Sequence, residues 1–81
     1  MKTFKRLFLS LTIHDNRIEV VEGMIPFRKR QTIPFRNIAN IEVAKFTKQL
    51  IISTNDGKKH KFSIGGFGKA QAAREAIVEK L

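Results

Sequence analysis

The feature that most constrains the fold is an Asn55-Asp56-Gly57 turn between two runs with strand periodicity. Asp-Gly between alternating runs is a strong β-hairpin signal, because Gly adopts a positive φ without steric cost. In the second run, His60, Phe62 and Ile64 fall on one face and the lysines between them fall on the other. The apolar period then changes from 2 to about 3.6, which predicts a closing helix over about residues 67–81.

Shorter runs with the strand period lie upstream of this hairpin. The first run alternates through Leu7, Leu9, Leu11 and Ile13. This alternation predicts a strand rather than a signal peptide, because no small-residue cleavage site follows it. Further strands are predicted over residues 18–22, 24–33 and 39–46, and the short connections are typical of antiparallel neighbours.

The sequence therefore predicts a mainly β (α+β) fold of six antiparallel runs within about residues 5–64, followed by one helix. A chain of 81 residues is expected to form a single domain, residues 1–81. The same periodicity places Ile25, Phe27 and Ile33 on one face of the third run. The predicted apolar stripe of the helix consists of Phe67, Ala70, Ala73, Ile77, Val78 and Leu81.

Charge is the most unusual bulk property. Sixteen Lys and Arg oppose seven Asp and Glu, which gives a net charge of +9. Such a balance favours nucleic acid, anionic lipid or an acidic protein as a partner, or it serves only to keep a small protein soluble. The chain has no Cys, which is compatible with the cytoplasmic location that we expect. No run approaches the ~20 apolar residues that span a bilayer, so no transmembrane segment is predicted.

Two segments resemble those of the bacterial pleckstrin-homology-like (PH-like) domains. Residues 33–43 read IPFRNIANIEV, and residues 50–57 read LIISTNDG. Together with the closing helix, they are similar to the family pattern over nearly the whole chain. The resemblance implies a partly open barrel or sandwich of two antiparallel sheets, with six to seven strands and a helix at one end. It also implies a binding or oligomerisation module, and no catalytic motif is carried over.

The clearest candidate site is a set of cations on the third and last strand runs. Alternate residues of a strand share a face, so Arg28 and Arg30 would form one row, and Lys59 and Lys61 another. If the two faces coincide, they form a patch suited to phosphate or carboxylate groups. Otherwise they are a solvated face that discourages edge-to-edge aggregation. The full predicted set is Arg28, Lys29, Arg30, Arg36, Lys58, Lys59 and Lys61.

Catalytic and cofactor signals are weak. The Gly65-Gly66-Phe67-Gly68-Lys69 segment is too short for a Walker A loop and is followed by Ala70, so a strand-to-helix turn is the better interpretation. His14 and Asp15 are adjacent in a turn, and His60 is on the core parity. No serine has a base at a recognisable spacing. We therefore expect no enzyme activity, no metal, no cofactor and no small-molecule substrate.

These features predict a non-catalytic binding or assembly module. The first expectation is a protein partner with an acidic surface, or self-association through an exposed strand edge. The second is sequence-nonspecific nucleic-acid binding by the basic patch, and the third is binding to anionic lipid headgroups. Phe8 and Phe46 fall on the opposite parity to the apolar rows of their runs, which makes them candidates for exposed apolar contact or base stacking.

Overall fold

The computed structural model describes residues 2–23 and 26–81. Within these ranges the chain forms two antiparallel sheets, with strand orders β1-β2-β3-β4 and β5-β6-β7, and one helix. The strands are β1 (Lys2–Arg6), β2 (Leu9–Ile13), β3 (Arg17–Glu22), β4 (Lys29–Pro34), β5 (Ile38–Val43), β6 (Leu50–Thr54) and β7 (Lys59–Phe62). A short 3-10 helix, Phe35–Asn37, joins the sheets, and helix α1 (Phe67–Val78) follows β7. The mainly β class is confirmed.

The first strand run differs from the prediction. It consists of two strands, β1 and β2, joined by a turn at Leu7 and Phe8, with Arg6 opposite Leu9. The described residues therefore contain seven strands rather than six. Sequence periodicity missed this turn because Leu7 keeps the alternation of the run, and neither turn residue is one that typically marks a turn.

Two other runs are shorter than predicted. Strand β4 begins at Lys29 and β5 ends at Val43, so Phe27 and Phe46 lie in the connections rather than in strands. The prediction that Phe27 shares the buried parity of Ile33 is wrong, because Phe27 is exposed. The corresponding prediction for Ile25 lies outside the described residues.

The core lies between the inward faces of the two sheets. In the first sheet, the pair Leu11 and Val20 lies beside the pair Ile13 and Ile18, and all four side chains are buried. In the second sheet, the paired Ile41 and Ile52 supply the inward face. Alternate strand residues face the core, as the sequence predicts. The complete buried apolar set is Leu11, Ile13, Ile18, Val20, Ile33, Ile41, Leu50, Ile52, Phe62, Ile64, Ala70, Ala73 and Ile77.

Helix α1 covers the edge of the second sheet at β5. Ala70, Ala73 and Ile77 are fully buried, and Arg74 Nε donates to the carbonyl oxygen of Ile41 on β5 at 3.2 Å. The prediction that Val78 and Leu81 complete the buried stripe is wrong. Helix α1 ends at Val78, which is about half exposed, and Leu81 lies beyond the helix and is exposed. Phe67, the first residue of α1, is also exposed, so its predicted place in the buried stripe is wrong as well.

The turn that follows helix α1 is linked to the β2–β3 turn by an exposed ion pair. Lys80 Nζ and Asp15 Oδ1 are 3.2 Å apart. The hydrogen bond from Lys80 and its positive charge lower the pKa of Asp15 below its ordinary value. Because Asp15 is fully exposed, this pair is expected to add little stability.

The predicted β6–β7 hairpin is confirmed, and its turn is held by local hydrogen bonds. Gly57 has φ 86°, and its N–H donates to the carbonyl oxygen of Thr54 at 3.0 Å. The N–H of Thr54 donates to the carbonyl oxygen of Lys58 at 2.9 Å, as in a type I turn followed by a bulge. The Asp56 carboxylate accepts from the Thr54 hydroxyl and from the Lys58 N–H. These two bonds lower the pKa of Asp56 below its ordinary value of 3.8.

The stability supplied by Asp56 is expected to disappear in acid. A lowered pKa in the folded state means that the ionised group stabilises the fold above pH 3.8, and that this contribution is lost as the pH falls below 3.8. At pH 7, Asp56→Asn should therefore unfold at a lower urea concentration than wild type. At a pH below the folded-state pKa, the two midpoints should converge. Asp15→Asn retains the Asp56 carboxylate, so it is the matched control for the acid sensitivity of the unfolding midpoint. A difference in midpoint between Asp56→Asn and wild type that does not change with pH would contradict the stabilising role assigned to ionised Asp56.

The sandwich is not a closed barrel. No backbone hydrogen bond joins β4 to β7 within the described residues. Their side chains meet at Gln31 and His60, where Gln31 Nε2 and His60 Nδ1 are 2.7 Å apart. One side of the molecule is therefore covered by α1, and the other is an open cleft between two strand edges.

Candidate functional site

Three connections lie together at one end of the sandwich, which we call the loop end: the β1–β2 turn, the β3–β4 connection and the β5–β6 loop. The N–H of Gly23, at the start of the β3–β4 connection, donates to the carbonyl oxygen of Phe8 at 2.8 Å. Arg6 Nη1 and Gln49 Nε2 both approach Ser63, with distances of 3.4 Å to its carbonyl and hydroxyl oxygens respectively. Since Arg6 precedes the β1–β2 turn and Gln49 ends the β5–β6 loop, the three connections are neighbours.

The loop end exposes large apolar side chains. Phe46 is 99% exposed, Phe27 83%, Leu7 78% and Phe8 51%. Each connection contributes at least one of these side chains, although single exposed apolar residues are common on protein surfaces. The four lie on three neighbouring connections at one end of the sandwich, an arrangement that differs from scattered exposure.

Cationic residues lie close in sequence to these apolar residues. Phe46 is close in sequence to Lys45 and Lys48, Leu7 follows Lys5 and Arg6, and Phe27 precedes Arg28. All five cationic side chains are exposed. The exposed acids near this end, among the described residues, are Glu22 at the end of β3 and Glu42 near the end of β5, against five exposed cations. The loop end thus combines projecting apolar groups with an excess of positive charge.

Two backbone conformations at the loop end are costly. Phe8 has φ 67° and Lys48 has φ 57°, in the left-handed region that residues with a Cβ rarely adopt. Each costs about 1–2 kcal/mol relative to ordinary backbone. Lys48 closes the β5–β6 loop by donating its N–H to the carbonyl oxygen of Ala44 at 2.8 Å. Phe8 is the second residue of the two-residue turn between Arg6 and Leu9, a position that often takes a positive φ in hairpin turns.

The basic residues predicted from sequence do not share one sheet face. Arg30 and the pair Lys59 and Lys61 are exposed on strands of different sheets. Arg30 Nη1 lies 3.9 Å from Glu19 Oε2, so part of its charge is balanced on its own sheet. The structure places the predicted set on both sides of the β4–β7 cleft and beyond its ends.

The remaining predicted cations lie around this cleft or at the loop end. Arg28 precedes β4 and lines a cavity with Arg30 and Phe8. Lys29 is the first residue of β4, Lys58 follows the β6–β7 turn and lines the cleft, and Arg36 lies in the short 3-10 helix. Asn55 Nδ2 donates to the carbonyl oxygen of Arg36 at 3.1 Å, which places Arg36 beside the β6–β7 turn, away from the loop end.

The cleft between β4 and β7 has a volume of about 520 Å³. One side is formed by Gln31, Thr32, Ile33 and Pro34 of β4, with Asn37 beyond them. The other side is formed by Thr54 at the end of β6, by Asn55, Asp56 and Lys58 of the β6–β7 connection, and by His60 of β7. Most of these groups are polar, and the Gln31–His60 hydrogen bond crosses between the two sides. The prediction that His60 is partly buried on the inward face of its strand is confirmed.

Neither histidine lies in a recognisable catalytic arrangement. His60 stacks near Phe62, with ring centroids 6.5 Å apart. His14 Nε2 lies 3.8 Å from Glu19 Oε1, while the neighbouring Asp15 pairs with Lys80. In residues 2–23 and 26–81, no group of three or more His, Cys, Asp or Glu side chains is arranged to hold a metal ion. No helix in the same part of the chain is both long enough and apolar enough to cross a bilayer.

Sequence reasoning identified Phe8 and Phe46 but missed Leu7, Phe27 and the cations of the β5–β6 loop. The signal for Phe46 was its position in the strand alternation, which places it on the face opposite to Ile41 and Val43 of β5. The same break in the alternation also marks the end of the strand. For Leu7 no such signal exists, because it fits the alternation of the strand that follows.

Comparisons of this chain with protein-family models, with curated proteins and with solved structures find no match.

Proposed function

We propose that this chain is a non-catalytic binding module that attaches to an anionic membrane surface through the loop end. The observation that carries the proposal is the group of exposed apolar side chains, Leu7, Phe8, Phe27 and Phe46, on three adjacent connections that also bear cations. Proteins that bind at the membrane interface combine apolar groups, which enter the boundary between headgroups and acyl chains, with basic groups that meet anionic lipids.

The free energies of apolar insertion and of charge attraction are both large enough to support membrane binding. Full burial of a Leu or Phe side chain contributes about 1.5–3 kcal/mol, and a Lys or Arg near an anionic leaflet contributes about 1 kcal/mol. Phe46 loses no protein contact when it enters the interface, because it is 99% exposed in the folded chain. Lys45 and Lys48 lie one and two positions from it. Insertion and charge attraction therefore act in the same loop.

Single-stranded nucleic acid is the second candidate, because the exposed Phe8, Phe27 and Phe46 are near cations and bases stack on aromatic side chains. Two features favour a membrane over this candidate. Leu7 is 78% exposed but has no ring on which a base can stack. The aromatic residues also lie in separate connections, whereas nonspecific single-strand binders line a continuous groove with them.

The PH-like assignment also remains a proposal. It is supported by the chain order of a four-stranded sheet, a three-stranded sheet and a closing helix. The seven strands of the described residues lie within the six to seven that the resemblance implies.

The direct test is co-sedimentation with vesicles of phosphatidylcholine containing phosphatidylserine, compared with phosphatidylcholine alone. The wild-type chain should bind the mixed vesicles and bind the neutral vesicles weakly. Phe46→Ser should lower the partition into mixed vesicles by about tenfold, because about 1.5 kcal/mol or more of apolar burial is lost. Its unfolding midpoint should not change, since the side chain is almost fully exposed.

Val78→Ser is the matched control, because Val78 is an exposed apolar residue at the end of α1, where the helix meets the β2–β3 turn. It should leave vesicle binding unchanged. Equal losses for Phe46→Ser and Val78→Ser would contradict the proposal. So would a wild-type chain that ignores the vesicles but binds a single-stranded oligonucleotide, a result that would establish the second candidate. A concentration-dependent mass that Phe46→Ser abolishes would instead indicate self-association.

A further inference from the structure

The cleft between β4 and β7 is bordered by two strand edges whose backbone groups have no strand partner within the described residues. The register of each hairpin determines which N–H and C=O groups lack a strand partner. The N–H of Thr54 donates to the carbonyl oxygen of Lys58, the residue before β7, and antiparallel pairs alternate between bonded and non-bonded. His60 therefore pairs with Ile52 on β6, and the N–H and C=O groups of Lys59 and Lys61 point away from β6 into the cleft.

The same reasoning applies to β4. The N–H of His14 donates to the carbonyl oxygen of Arg17 at 2.9 Å, which sets the bonded pairs between β2 and β3. The alternate residues of β3, Ile18 and Val20, consequently bond to β4. This leaves the backbone groups of Arg30 and Thr32 facing the cleft. Both sides of the cleft therefore present free donors and acceptors of the kind that bind an added strand.

The side chains next to these edges determine which charge an added strand should carry. Lys59 and Lys61 are exposed on the same face of β7, so they would lie beside residues i and i+2 of an added strand. Lys58 adds a further cation at the turn. The nearest acids are already engaged: Asp56 accepts from Thr54 and Lys58, and Glu19 lies beside Arg30.

We propose that the β7 edge of this cleft binds an extended acidic segment of a protein partner, which adds to the second sheet as a strand and places acidic residues at alternate positions against Lys59 and Lys61. The site lies outside the loop end, so it does not depend on the proposed membrane attachment. A second copy of the chain is a poor occupant of this edge through the same strand, because it would bring Lys59 and Lys61 against their own copies.

The test uses a capped synthetic peptide of alternating Glu and Val, compared with a peptide of the same composition in which the Glu residues are contiguous. Binding to the full chain is measured by calorimetry. The alternating peptide should bind at least tenfold more tightly than the contiguous one. Equal binding of the two peptides would overturn the proposal, because it would reduce the interaction to net charge.

Two substitutions at one position separate the backbone bond from the charge. Lys59→Gln removes the cation and keeps the N–H, whereas Lys59→Pro removes both, and Pro is tolerated where an edge N–H faces solvent. Lys59→Gln should weaken binding several-fold, and Lys59→Pro should abolish it. The control is Lys5→Pro on β1, which pairs with β2 alone among the described strands and should bind as wild type. Full binding by a folded Lys59→Pro variant would exclude strand addition at β7.

Amide hydrogen exchange of the wild-type chain supplies an independent readout, so the proposal does not depend on the folding of the proline variants. The alternating peptide should slow exchange at the N–H groups of Lys59 and Lys61. The N–H groups of Thr3 and Lys5 on β1 should be unaffected. Protection confined to β1, or absent from both edges, would overturn the proposal.

Discussion

Ile52→Ala is expected to lower the free energy of unfolding by about 2–5 kcal/mol. Ile52 is fully buried on β6, the central strand of the second sheet, where it faces the first sheet across the core. Truncation removes apolar contacts and leaves a cavity that strands fixed on both sides of β6 cannot readily fill. Chains of this size have a total stability of about 4–12 kcal/mol, so the variant loses a large fraction of it. Chemical denaturation measures the change.

The matched control for this prediction is Ile51→Ala, on the opposite face of the same strand. Ile51 is only partly buried, so its truncation should cost about 1 kcal/mol or less. Ile52→Val is a milder test at the buried position, with an expected loss of about 0.5–1.5 kcal/mol. If Ile51→Ala were as damaging as Ile52→Ala, the inward and outward faces of β6 would have been assigned incorrectly.

Reversing two charges at the loop end is expected to have the largest effect on membrane attachment. Lys45→Glu combined with Lys48→Glu changes the local charge by four, and each basic charge near an anionic leaflet contributes about 1 kcal/mol. Vesicle affinity at 0.1 M salt should therefore fall by about a hundredfold or more. Both side chains are exposed, so the unfolding midpoint should change little. Titration with phosphatidylserine-containing vesicles gives the affinity.

Arg36→Glu combined with Lys58→Glu makes the same change in net charge beside the β6–β7 turn, away from the loop end. Charges are screened over about 10 Å at 0.1 M salt, whereas the molecule extends 32 Å along its longest axis. The control should therefore lose much less affinity than the loop-end variant. Equal losses would mean that net charge alone determines vesicle binding, which would contradict a specific role for the loop end.

Features that depend on residues close together in sequence were predictable. The Asn55-Asp56-Gly57 turn forms as expected because its hydrogen bonds join residues 54–58 and because Gly57 tolerates its positive φ. The helix and the inward rows of the hairpin follow from their periods in the same way. The β1–β2 turn was not predictable, because Phe8 is held at φ 67° by its surroundings rather than by its own preference.

The candidate surfaces were only partly predictable. Phe46 and the cations of β7 were identified individually, but periodicity cannot say whether an apolar residue at the end of a run lies in a strand or beyond it. Phe27 shows the difficulty. The alternation places it on the same face as the buried Ile33, but the strand begins only after it, at Lys29.

The sequence by itself therefore determined the strand-rich class, the final hairpin, the closing helix and the basic charge, because each depends on local conformational preference or composition. Only the tertiary structure decided which ends and edges come together. The contact of Gly23 with Phe8 and that of Gln31 with His60 join residues far apart in the chain. The loop end and the β4–β7 cleft exist because two sheets pack around one core. The alternation in the sequence marks the buried face of each strand, but it does not show which ends and edges of the two sheets will meet.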